Sequence, residues 1–393
     1  MQLSHRIETL TPGGSNGWEI FLKAKAMIAA GQPVIELTIG EHDIRTDTAI
    51  LGAMDRSARG GHTGYAEIPG VAALRDAVAA RITERTGVAT GRDNVLITPG
   101  GQAGLFSAHC ATCDAGDAAL FIDPYYVTYP GTVRAAGARP VTVPARPEDG
   151  FRPRGADILA AAGADAKSLL INTPNNPTGA VYDRETLEGI GRAVLERDLW
   201  LLSDEVYDTQ LWDGSHLSPR ALPELTDRTL VIGSMSKSHA MTGSRCGWIV
   251  GPEEAIAHLI NLATHTTYGV PGFVQDAALF ALEQGDALEA EVAAPFRRRR
   301  ALALEILNRQ NVLRLLPPQG AMYVMLDVRA TGMTGLEFAE ALLEQHRIAV
   351  MPGASFGAAA AGHIRVAMTV EDSAFAAALE TLCRFAASCC APA

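Results

Sequence analysis

An α/β fold built on a mostly parallel central sheet flanked by helices, with a smaller α+β unit attached, is what this 393-residue sequence predicts. Three observations carry that reading. Between residues 95 and 250, short β-rich apolar runs alternate with helical patterns, the signature of strands joined by crossover helices. Several of those runs are apolar throughout rather than at every second position, as expected of strands buried on both faces. The chain is also too long for one compact core, and its 48% hydrophobic and 20% charged content is that of a globular protein, not a disordered one.

In chain order, the first forty residues carry Pro12, Gly13, Gly14 and Gly17 and read as an arm followed by a helix. The strand candidates of the large unit are VLIT (95–98), AALFID (118–123), RPVTV (139–143), SLLINT (168–173), LWLLSDE (199–205), TLVIG (229–233) and CGWIV (246–250). After Pro271 a long helical stretch, expected to be interrupted near Gly285 and Pro295, leads out of the sheet. AMYVMLDV, RIAVMPG and HIRVAM then read as strands, and SAFAAALETLCRFAAS as an amphipathic helix. The division drawn from this is 1–45 for an arm and helix joining the small domain, 46–290 for the large domain and 291–393 for the small C-terminal domain.

Thirty-three Lys and Arg against forty-four Asp and Glu leave a net charge of −11, so neither nucleic acid nor an anionic membrane is an expected partner. No apolar run reaches the length of a membrane span, and the N-terminus lacks the pattern of a signal peptide. Six cysteines in a chain of this length do not form a disulfide framework, and a cytoplasmic location follows as the expectation.

Ligands of open α/β sheets sit beyond the carboxyl ends of the strands, so polar residues just after the apolar runs are the functional candidates. GSMSKSHAMTGSRCGW (233–248) places Lys237 beyond a buried strand, flanked by Ser234 and Ser236 and followed by Arg245. That puts an amine beside a set of phosphate donors. Taken alone, a solvated Lys and Arg in a polar loop would be the better account. TPGGQAG (98–104) puts Gly101 and Gln102 between a strand and a helix, where free amides can hold a phosphate, although an ordinary glycine turn explains it equally well in isolation. SDEVYD (203–208) ends a buried strand in Asp204, a carboxylate that needs a partner. NTPNNPTG (172–179) presents Asn176 in a turn, and DPYYVTY (123–129) offers the faces of Tyr125 and Tyr126.

An amine, a carboxylate, an amide donor, a phenol, an aromatic face and a phosphate cradle are together what pyridoxal 5'-phosphate requires. On these segments the chain resembles the fold-type I pyridoxal-phosphate enzymes, specifically the class I/II aminotransferases of the aspartate aminotransferase type, from about Gly40 to Arg365. The resemblance implies that Lys237 is the Schiff-base lysine, that Asp204 pairs with the pyridine nitrogen, and that Tyr207 and Asn176 donate to the ring oxygen. It implies that Tyr126 stacks on the ring where many relatives have Trp. Gly101, Gln102, Ser234, Ser236 and Arg245 would hold the phosphate, joined by Tyr65 from the other subunit of a homodimer. Arg365 in GHIRVAM would grip the substrate carboxylate, with Gly40 lining the same end. The implied activity is transfer of an amino group from an L-amino acid to a 2-oxo acid by a ping-pong mechanism, with no metal.

Four look-alikes point elsewhere. PGASFG (352–357) matches a nucleophile elbow, but Asp and His do not follow it in that order, since no histidine lies beyond His363; HCATC (109–113) lacks a second zinc-spaced pair and is assigned to helix packing. CAPA (390–393) has no upstream basic stretch for prenylation, and RRRR (297–300) reads as a solvated helix face. For the substrate side chain, Trp18, Tyr125, His265, Tyr268 and Phe356 are candidates, with a lean toward neutral or aromatic amino acids, and the arm around 15–18 would contribute. Ordinary core or interface aromatics are an equally good account of all five. A β- or γ-eliminating lyase or synthase would use the same cofactor site and diverge only after the Cα proton is removed. A non-enzymatic ligand sensor on this fold would ordinarily add a DNA-binding domain, for which no room is seen before Gly40.

Overall fold

The computed structural model describes residues 1–11 and 17–390. Most of the predicted arm (Pro12, Gly13, Gly14 and Ser15) and the last three residues of CAPA lie outside the described residues. Twelve strands are formed among them: β1 Ile35–Leu37, β2 Val95–Thr98, β3 Ala118–Asp123, β4 Arg139–Pro144, β5 Ala166–Asn172, β6 Trp200–Asp204, β7 Thr229–Ser234, β8 Gly247–Val250, β9 Arg314–Leu316, β10 Tyr323–Asp327, β11 Ile348–Pro352 and β12 His363–Ala367. The seven runs read as strands between 95 and 250 all form them. The three-residue β1 and β9 have no sequence reading, being too short to show a period.

Seven strands make one sheet in the order β2-β8-β7-β6-β5-β3-β4. The pairs from β7 through β6, β5 and β3 to β4 are parallel, while β8 runs antiparallel to both β7 and β2. Alternate residues serve different cores: Leu120 and Ile122 pack with helices Gly155–Ala161 and Arg184–Glu196, whereas Ala119 and Phe121 pack on the face of helices Gly100–Thr112 and Glu253–Thr264. Both faces are therefore apolar, which is why these strands read as continuous hydrophobic runs. β4 is the exception. It is an edge strand and mostly half-buried or exposed.

The second sheet has the order β1-β11-β12-β10-β9, with β1 parallel to β11 and the other pairs antiparallel. Helices Gly335–His346 and Asp372–Cys389 cover it through Phe338, Phe375 and Phe385. Ile364 and Val366 of β12 point into that core, so the two-residue period turns Arg365 to the opposite face, toward the first sheet.

Two expectations fail on the connecting helix. It breaks at Gly285 (φ 68°), but Pro295 lies inside an unbroken helix Asp286–Leu307. Val292, Ala293, Phe296 and Arg299 are buried on that helix, and this tertiary packing holds it through the missing N–H. RRRR is a solvated face only in part, since Arg297 and Arg298 are exposed but the next arginine is not. Arg299 is 3% exposed, chelates Asp43 at 2.7–2.8 Å, and also bonds Asp372 (2.8 Å) and the Met368 carbonyl (2.9 Å).

Candidate active site

The carboxyl ends of the strands converge. Register pairs Asn172 with Asp204, and Gly247 with both Ser234 and Thr98, so the residues ending β2, β5, β6 and β7 lie along one edge of the sheet. β12 faces that edge. Between them is a cavity of about 260 Å³ whose wall includes Lys237, Asp204, Asn176, Tyr207, Arg245 and Arg365.

Lys237 sits on a short helix, Met235–Ser238, directly after β7. Its Nζ donates to the Gly40 carbonyl. Burial, only partly opposed by Glu41, lowers its pKa to about 8, with the positive charges of Arg365 and Arg245 adding to the drop. Asp204 is buried at the end of β6, accepting from Tyr129 Oη (2.6 Å) and the Val206 amide (3.3 Å). Burial outweighs those bonds and lifts its carboxyl to about 6. A cationic ring nitrogen beside it would restore the carboxylate.

Arg365 is 1% exposed and held on every side. It donates to Asn176 Oδ1 (2.8 Å) and to the Thr38 carbonyl, while the rings of Tyr323 and Phe356 lie 4.3 Å from its guanidinium carbon. Its Nε is buried without a hydrogen-bond partner, a donor suited to an incoming carboxylate. Tyr207 Oη lies 2.8 Å from Tyr323 Oη, and Asn176 Nδ2 lies 3.5 and 3.4 Å from the same two oxygens. Burial raises the Tyr207 phenol well above its usual range, so it remains a hydrogen-bond donor.

The other end of the cavity fits a phosphate. Gly101 and Gln102 lie in the first turn of helix Gly100–Thr112, whose leading amides have no intrahelical acceptor. Gly100 opens the turn at φ 78°, and a Cβ there would sit 2.5 Å from Arg245 Nη2. Only glycine allows both that conformation and that approach. Ser234, Ser236 and Arg245 line the same cavity. A phosphate cradle at one end, a buried carboxylate for a ring nitrogen and an amine between them fit pyridoxal phosphate.

Gly40, Trp18 and Tyr126 also line the cavity. Phe356 does not; it is buried behind Arg365. Tyr125 packs on Phe121 (ring centroids 4.9 Å) and His265 is exposed, both outside the cavity wall. Tyr65 is 91% exposed and pairs edge-on with Tyr268 (5.2 Å), away from this cavity. Sequence reasoning missed Tyr323 and Tyr129. Tyr129 closes the DPYYVTY segment already singled out, but Tyr323 comes from the second sheet and carries no local signal.

The family model described as Aminotransferase class I and II matches residues 32–382. The chain belongs to that family. As a class I and II aminotransferase it is a pyridoxal-phosphate-dependent enzyme of fold type I. It is 40% identical to the arginine–pyruvate transaminase of Pseudomonas aeruginosa over 392 residues, covering 100% of this chain and 98% of that one. It is 36% identical to the aspartate/prephenate aminotransferase of Thermus thermophilus, covering 97% and 98% of the two chains. The solved aspartate aminotransferase of Thermus thermophilus with maleate superposes at a TM-score of 0.91, with 35% identity and 98% and 99% coverage. No described helix of the aminotransferase is long and apolar enough to cross a membrane.

Proposed function

We propose that this aminotransferase runs both half-reactions through one cavity, with Lys237 as its proton carrier and Arg365 as its carboxylate grip. The observation that carries the reading is the convergence on one space of Asp204 at the end of β6, Lys237 just after β7 and Arg365 on β12. When bound, the cofactor supplies an aldehyde for the amino nitrogen and a pyridine ring that accepts the electron pair left at Cα. Asp204 would hold the charge that keeps that ring nitrogen protonated, and Tyr207 and Asn176 would donate to the ring oxygen. Tyr126 would supply an aromatic face for the ring, and Gly101, Gln102, Ser234, Ser236 and Arg245 would anchor the phosphate. Arg365 fixes the substrate carboxylate so that the Cα–H bond faces Lys237, whose Nζ takes the proton and delivers it to the neighbouring carbon. Donor and acceptor use the same Lys237 and Arg365 in turn, so kinetics are ping-pong.

For the donor we propose L-arginine or a similar long basic amino acid, with pyruvate as acceptor. Two things support this: the named activity of the 40% identical Pseudomonas relative, and Glu41, a carboxylate on the cavity wall that accepts from Thr242 Oγ1 (3.2 Å). An aromatic donor is the second reading, favoured by Trp18 and Tyr126 on the same wall. A panel of amino donors, each followed by spectral conversion of bound cofactor to its amine form, decides between them. The proposal further includes a homodimer in which Tyr65 reaches the partner's phosphate, a cytoplasmic location, and the division into 46–290 and 1–45 with 291–393 that the two sheets support. Lys237→Ala should abolish borohydride fixation of cofactor and nearly all turnover while leaving the fold intact. Fixation at wild-type level in that variant would reassign the lysine.

A further inference from the structure

The segment following β1 is laced to the catalytic lysine and to the residues just after it. Besides the bond from Lys237 Nζ to Gly40 O, His42 Nε2 lies 3.0 Å from the Lys237 carbonyl, Thr46 Oγ1 donates to Ala240 O (2.6 Å), and Thr242 Oγ1 donates to Glu41. The far side of the segment is fixed to the second unit. Arg365 donates to Thr38 O, Thr369 Oγ1 to Ile39 O (3.2 Å), and Arg299 grips Asp43. From the geometry we propose that His42 is a positioning residue: it holds the backbone of Lys237 in place and links the lysine to the strand that carries Arg365.

The carbonyl can only accept, so His42 must carry its proton on Nε2. Nδ1 is then a bare lone pair, buried with no partner, and the ring stands edge-on to Phe296 at 5.2 Å. A second proton would be stranded there. Burial, with the positive charge of Lys237 adding to it, outweighs the hydrogen bond to the Lys237 carbonyl and the charge of Asp43 and lowers the His42 pKa to about 4. His42 is therefore a fixed neutral donor across the working pH range and not an acid–base partner. Gln210 Nε2 donates to the same carbonyl (3.1 Å) from the loop after Tyr207, so the lysine is held from both sheets at once. A main-chain anchor matters here because Lys237 must present one nitrogen to two carbons in succession, and a small displacement lowers the rate without weakening substrate binding.

The inference rests on Lys237 being the proton carrier, and the test separates the two. In holoenzyme, His42→Leu removes the donor, whereas His42→Gln keeps an N–H at similar reach. The Leu variant should slow the donor half-reaction about five- to tenfold with donor KM within about twofold. It should also move the pH midpoint of the cofactor–lysine absorbance by about half a unit, because Lys237 shifts against Glu41, Arg245 and Arg365. The Gln variant should restore both. A folded Leu variant with wild-type rate and midpoint overturns the proposal, as do Leu and Gln variants altered equally. Should the Leu variant not fold, the Gln variant decides alone: a shifted midpoint in it overturns the proposal, and a wild-type midpoint upholds it. Borohydride still fixes cofactor to Lys237 in both variants; fixation elsewhere would instead overturn the reading of the lysine.

Discussion

Lys237 and Asp204 are both buried where their charged forms are penalised, and each has a measurable consequence before any substrate binds. With its pKa lowered to about 8 from the 10.5 of a free side chain, the Lys237 amine is substantially neutral near pH 8. Covalent capture of pyridoxal phosphate by cofactor-free protein should therefore rise with pH to a midpoint near 8; a midpoint near 10 would contradict the burial argument. Asp204 has its folded-state pKa raised from 3.8 to about 6. The folded chain keeps that proton longer than the unfolded one, so its contribution to stability falls as pH rises from about 4 to about 6, by about 3 kcal/mol in all. Asp204→Asn should accordingly raise the melting temperature of cofactor-free protein at pH 7.5, with the difference vanishing below about pH 4. The same variant should lose most Cα–H cleavage, so stability and catalysis move in opposite directions. An unchanged apo melting temperature at pH 7.5 would show that Tyr129 and the Val206 amide already offset the buried charge.

Elements differ in how much of their role a local pattern can show. The strands of the first sheet were legible because burial on both faces leaves continuous apolar runs, and the polar residues after them were legible because such sheets bind ligands at their carboxyl ends. Helix Asp286–Leu307 was not legible in this way. Neither the continuity through Pro295 nor the burial of Arg299 has a local cause, since Arg299 draws its partners Asp43 and Asp372 from positions 256 residues before and 73 after it. Arg299→Leu should destabilise the protein by about 2–4 kcal/mol, less than for a fully enclosed pair because Asp43 and Asp372 reach solvent. Urea unfolding checks this, and a loss below about 0.5 kcal/mol would return the residue to the solvated face read from its sequence.

At the scale of the whole molecule, Arg365 on one sheet must meet Lys237 on the other, and Tyr65 points away from its own cavity. If each site is completed across a two-fold axis, Lys237→Ala and Tyr65→Ala chains refolded together form about half hybrids, each with one doubly damaged and one intact site. Activity should rise to about a quarter of wild type, provided Tyr65→Ala alone is clearly impaired. No rise, with hybrids shown to form, would remove Tyr65 from the partner's site.

The sequence by itself determined the α/β class, the family resemblance and which residues from Gly101 to Arg245 are candidates to hold the cofactor, because each lies close to a strand end and its chemistry can be read from a few adjacent residues. Tertiary structure alone decided that Tyr323 joins Tyr207 and Asn176, that Phe356 backs Arg365 instead of lining the pocket, and that His42 meets the Lys237 carbonyl. Those contacts join residues 116 to 195 positions apart, or depend on which face of a strand a side chain takes once two sheets have packed. A linear pattern records neither, because packing between sheets is set by the shapes of both surfaces and leaves no period in the chain.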